Sequence, residues 1–166
     1  VFFSSNSSYY VTVYYSVEAT NFGAKFAGAT TALYAKPVIT AQPVGGIVNS
    51  GTTKSFSVTA TGATAYQWQK DGIDILGSTT ATLSLSSVQA ANAGSYTVIV
   101  SNGYMGTTSS VAALTVISSP SNVTAFQGTD ASMSVVVTGE APTAYQWKKA
   151  GVDIAGATSA ALNFSG

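Results

Sequence analysis

The residues able to do chemistry are few, and what is missing decides more than what is present. The 166-residue chain has no histidine and no cysteine, and six lysines stand against six carboxylates. Without imidazole or thiol, neither a Ser-His-Asp nor a Cys-His nucleophile can be assembled, and no imidazole or thiolate cluster can hold a metal. Asp71 and Asp74 come closest to an acid–base pair of the kind that hydrolyses glycosides. They flank Gly72, however, and Asp71-Gly72 is a hairpin signature, so the pair reads as turn chemistry rather than catalysis or a Ca²⁺ loop. The sequence therefore predicts a protein that is not an enzyme, with no catalytic, metal or cofactor residues.

Aromatic and amide groups offer binding rather than bond-making. Trp68 and Trp147 could stack on sugars, but the motif around each reads as a core strand. In Tyr9-Tyr10-Val11-Thr12-Val13-Tyr14-Tyr15, alternation puts Tyr9, Val11, Val13, Tyr15 and Val17 on one face and Tyr10, Thr12 and Tyr14 on the other. Tyr10 and Tyr14 are either ordinary outward strand residues or a contact surface for a neighbouring chain or glycan. Asn6, Asn122 and Asn163 begin Asn-x-Ser/Thr triplets, acceptors for N-linked glycans only in a host that makes them.

These residues sit in a chain that is 46% hydrophobic and only 7% charged, with zero formal net charge, against roughly 25% charged residues in an average soluble domain. Its surface must be polar through hydroxyls and amides. No basic patch could neutralise phosphates, which excludes nucleic acid as a partner. No apolar run approaches the roughly 20 residues of a membrane helix, so no membrane insertion is expected. The absence of cysteine leaves the redox compartment open. The opening at Val1, with no leading Met or signal peptide, reads as a processed or partial chain.

The elements that hold these side chains recur. Tyr66-Gln67-Trp68-Gln69-Lys70 returns as Tyr145-Gln146-Trp147-Lys148-Lys149, and Gly72-Ile73-Asp74-Ile75 as Gly151-Val152-Asp153-Ile154. Ala150 replaces Asp71, so a metal loop is not repeated. Pro43 and Gly51 match Pro120 and Gly128, with the register difference absorbed in Gly139-Glu140-Ala141-Pro142-Thr143, which reads as a loop. Tyr15 to Asn21 matches Tyr96 to Asn102 in residue type, with Glu18 opposite Ile99 the strong departure.

Three segments follow. Residues 1–36 carry the closing strands of a domain, 37–116 a complete domain, and 117–166 the opening strands of a domain completed by another chain or by the next repeat. Within 37–116 the strands are expected at Lys54–Ala60, Ala65–Lys70, Ile73–Leu76, Thr80–Ser86, Ser95–Asn102 and Thr107–Val116. Turn residues separate them, and no stretch has helical periodicity.

The run from Pro43 through Gly51, Tyr66-Gln67-Trp68, Asp71-Gly72, Ala93-Gly94-Ser95-Tyr96 and Asn102 resembles the intermediate-set immunoglobulin-like repeats of large secreted or cell-surface bacterial proteins. The resemblance implies an all-β fold of tandem immunoglobulin-like Greek-key sandwiches, one complete and two partial. In that family a tryptophan packs over an inter-sheet disulfide, and a tyrosine two residues before the second cysteine forms a tyrosine corner. Carried onto this chain, Trp68 and Tyr96 take those roles and Val58 and Val98 stand at the cysteine positions. Val135 and Trp147 are their counterparts in the next repeat, and Tyr15 and Val17 in the N-terminal piece. Valine pairs thus replace disulfides typically worth about 2–4 kcal/mol.

The resemblance implies a structural or adhesive role, extracellular or at the cell surface. The expectation is a subunit or repeat of a filament or surface fibre, assembled head to tail by strand complementation or as a tandem array. Its partners would be copies of itself or adjacent repeats, and possibly glycans. Two alternatives stand beside it: a stalk segment of a large bacterial adhesin, and a non-catalytic spacer or carbohydrate-binding module of a secreted polysaccharide-degrading enzyme.

Overall fold

The structure, a computed structural model, describes residues 35–166 and four backbone strands before them: β1 (Tyr14–Ser16), β2 (Lys25–Phe26), β3 (Ala29–Thr30) and β4 (Ala32–Tyr34). The chain is all-β; the one helical turn among the described residues is a 3-10 turn at Ala90–Asn92. This follows from hydroxyl residues alternating with Val, Ala, Leu and aromatics, a pattern that suits a pleated surface buried on one side.

Residues 37–116 fold as two layers. The strands are β5 (Val38–Ala41), β6 (Gly46–Asn49), β7 (Lys54–Ser57), β8 (Thr59–Thr61), β9 (Ala65–Lys70), β10 (Ile73–Asp74), β11 (Thr82–Leu85), β12 (Gly94–Ser101), β13 (Gly106–Thr108) and β14 (Ala112–Ser118). One layer pairs β5 with β8 and β7 with β11, all antiparallel. The other runs β10-β9-β12-β14, with β13 beside β12 and β6 parallel to β14. The first edge of the sandwich is thus split, β5 serving one layer and β6 the other.

Two expected strands are interrupted. Lys54–Ala60 breaks at Val58, where the strand passes from pairing with β11 to pairing with β5; the Val58 N–H still reaches Ala81 O at 3.0 Å. Thr107–Val116 breaks after Thr108 because Ser109 supplies its side chain where a backbone carbonyl would stand. The Ser109 Oγ accepts the Val98 N–H at 3.0 Å, while the Ser109 N–H donates to Val98 O at 2.9 Å.

Between the layers lies one core: Phe56, Val58, Trp68, Leu83, Val88, Tyr96, Val98, Val100, Ala112, Leu114 and Val116. Period-2 alternation places them, since Tyr96, Val98 and Val100 of β12 all point inward.

Beyond β14 come β15 (Ala131–Ser134), β16 (Val136–Thr138), β17 (Lys148–Lys149), β18 (Val152–Asp153) and β19 (Ala161–Phe164). β15 pairs with β19 and β17 with β18, repeating the β7–β11 and β9–β10 pairs. β16 pairs instead with β14 of the preceding sandwich, through Val116–Thr138, Ile117–Val137 and Ser118–Val136. β14 therefore runs through the division at 116/117.

In the N-terminal part, β1 pairs with β4 in parallel, and β2 pairs with β3 antiparallel.

Candidate functional site

The central site is structural, built around Trp68. β9 turns Trp68 into the sandwich, fully buried, and β12 sets Val98 directly opposite it in register. Its indole Nε1–H donates to Thr80 O at 2.9 Å, so the polar end of the ring is satisfied inside the core. Val58 and Val98, at 5% and 0% exposure, fill the interior with apolar volume. Phe56, two residues before Val58 on the same face, stacks on Tyr96 with ring centroids 4.6 Å apart and stands 6.1 Å from Trp68. Sequence reasoning passed over Phe56, although the alternation Phe56-Ser57-Val58 points to it.

Tyr96 makes a tyrosine corner: its hydroxyl donates to Asn92 O at 2.6 Å, at the end of the 3-10 turn. Burial, and second the charge of Asp71, push its phenol above the usual tyrosine range. Asp71 (φ +51°) and Gly72 (φ +81°) both adopt the left-handed region that a two-residue type I′ hairpin demands. The Asp71 carboxylate also fastens the hairpin to β12, accepting Lys70 Nζ at 2.8 Å and the Ser95 N–H at 2.8 Å. The lysine contact first, and the Ser95 N–H next, hold its carboxyl below the usual range. Asp74 accepts Gln69 Nε2 at 2.7 Å. Both carboxylates are thus engaged in the hairpin, and no group of three or more metal-ligating side chains occurs among the described residues.

The next repeat copies the hydrogen bonds of Val58, Gln67 and Trp68. Gln67 Nε2 donates to Trp68 O and Ile75 O, both at 2.9 Å, and Gln146 Nε2 donates to Trp147 O and Ile154 O at the same distances. Trp147 Nε1 donates to Ser159 O at 2.8 Å, as Trp68 does to Thr80 O. The Val135 N–H reaches Ala160 O at 3.0 Å, matching Val58 and Ala81. Lys148–Asp153, at 2.6 Å, stands where Gln69–Asp74 stands in the first copy. What differs is coverage. Met133, Val135, Trp147 and Leu162 are only half-buried, because among residues 117–166 no strand lies where β12 covers Trp68.

The remaining sequence-derived residues divide simply. Asn122 and Asn163 are exposed. Tyr14 and Tyr15 belong to β1, of which only the backbone pairing is described. Asn6, Tyr10 and Val17 lie outside the described residues.

Residues 36–102 match the family model for the immunoglobulin domain. With two layers, the buried Trp68 and the Tyr96 corner, the central sandwich is an immunoglobulin-like domain. No curated protein matches the chain. Solved structures similar to it include tandem Ig repeats of Dlar, 21% identical, TM-score 0.46, covering 54% of this chain and 55% of that one. Titin domains z1z2 in complex with telethonin are 26% identical, TM-score 0.45, with 73% and 72% covered. Sidekick-1 immunoglobulin domains 1-5 are 18% identical, TM-score 0.49, with 71% of this chain and 27% of that one covered. The chain thus spans about half of the Dlar fragment and about a quarter of the Sidekick-1 fragment.

Proposed function

We propose that this chain is a structural, non-catalytic repeat of an extracellular filament or surface fibre, in which immunoglobulin-like sandwiches of the intermediate set follow one another head to tail. The observation carrying this reading is the recurrence around Trp147 of the hydrogen bonds that Gln67 and Trp68 make, in a repeat whose β16 joins the preceding sheet. A sandwich edge divided between β5 and β6, the latter parallel to β14, supports the intermediate-set assignment. The half-covered face of Val135, Trp147 and Leu162 calls for a partner strand of the β12 kind. In this reading it comes from the following repeat or from the N-terminal segment of another copy, by strand addition. Exposed Asn122 and Asn163 would take N-linked glycans in a host that makes them.

Electron microscopy of the native assembly, with intact mass after denaturation, tests the proposal. Beaded rods are the expected result, with a mass near 16.8 kDa for a strand-exchanged subunit or a multiple for a tandem array. Isolated compact particles of a single chain would refute it.

A further inference from the structure

We infer that adjacent domains of this chain are coupled through a shared strand, so that the second repeat neither swings nor opens independently of the first. This goes beyond the proposed role and stands whether or not the chain forms a fibre. β14 is flanked on one side by β12, through Ala112–Leu114, and then by β16, through Val116–Ser118; on its other side β6 pairs from Leu114 to Ile117. It is at once the last strand of one sandwich and the first of the next. The pairing with β16 is made on β14 itself, ahead of the strandless segment 119–130.

Side chains lock the seam. Leu114 and Val116 point into the core, so Thr115 faces outward on β14, yet it is only 4% exposed. Gly139 and Glu140 of the second repeat cover it: the Glu140 N–H donates to Thr115 Oγ1 at 3.1 Å. Gly139 (φ +111°) lies so close that an added Cβ would stand 2.8 Å from Leu114 O and 3.0 Å from Thr115 Cα. The segment that distinguishes the two repeats in sequence is thus a dock rather than a free loop. The other end of the central domain is fastened in kind, by Asn102 Nδ2 donating to Ala35 O at 2.8 Å and by the Thr107 hydroxyl donating to Pro37 O.

Residue-resolved hydrogen exchange on the full chain tests the coupling. In the unaltered protein the Glu140 amide should exchange at least about tenfold slower than an unstructured one. Thr115→Val removes its acceptor and should return it to near the unstructured rate. The same change should lower protection of the Trp147 amide several-fold while leaving the Val98 amide unchanged; Thr115→Ser, which keeps the hydroxyl, should preserve all three. Gly139→Val attacks the seam from the second repeat and should lower Trp147 protection likewise. Free exchange of Glu140 in the unaltered chain would overturn the inference. So would Trp147 protection that neither Thr115→Val nor Gly139→Val changes.

Discussion

At the scale of single residues, stability rests on a few buried rings that do work usually shared with a disulfide. Trp68 has no exposed surface and its Nε1–H is bonded, so Trp68→Ala both opens a cavity and orphans Thr80 O. The expected cost is about 3–5 kcal/mol, read from thermal melts, and enough to unfold a marginal domain. Tyr96→Phe keeps the stacking on Phe56 and loses only the bond to Asn92 O, so its cost should be about 0.5–1.5 kcal/mol; an unshifted melting temperature would deny the corner its role. The two titrating groups act at opposite ends of the pH scale. The Asp71 carboxyl is lowered in the folded state, so its contribution is complete above the ordinary carboxylate range and fades as pH falls through the folded value. The Tyr96 phenol is raised, so its contribution is complete below the ordinary tyrosine range and is lost as pH rises through the folded value. Melts against pH should therefore show Asp71→Asn losing its deficit in acid, and Tyr96→Phe losing its deficit in alkali.

Between residues and domains stand the turns and strands, and here one repeat serves as a control for the other. Ala150 occupies the Asp71 place with φ +47°, followed by Gly151 at +82°, so the hairpin keeps its type I′ form with a residue poorly suited to it. The left-handed region costs an ordinary L residue roughly 1–2 kcal/mol, so Ala150→Asn, which tolerates that region, should slow exchange of the Ile154 amide that bonds Trp147 O. No change, or faster exchange, would count against the turn assignment. Elements with strong local chemistry were legible from sequence: the Asp71-Gly72 turn and β9, whose repeated motif marks Trp68. Those set by distant partners were not. The break in the last strand depends on Ser109 meeting Val98 across the sheet, which no local pattern signals. Val88 is wholly buried at the end of a connecting segment, outside any alternating run. Gly139-Glu140 looks like a surface loop until the strand it docks on is in place.

For the whole molecule, sandwiches of this kind are proposed to follow one another and to complete one another. The half-covered face around Trp147 follows the same hydrogen-bond plan as the sealed one around Trp68, so it should accept a β12-like strand with a valine opposite Trp147, as Val98 stands opposite Trp68. The most direct measurement is a map of the native assembly at side-chain resolution. A neighbouring strand, from the following repeat or from another copy, should run alongside Trp147 and β17 and bury Val135, Trp147 and Leu162 together. A map in which residues 117–166 are closed by their own chain's residues 37–116, or in which that face lies open to solvent, would contradict it.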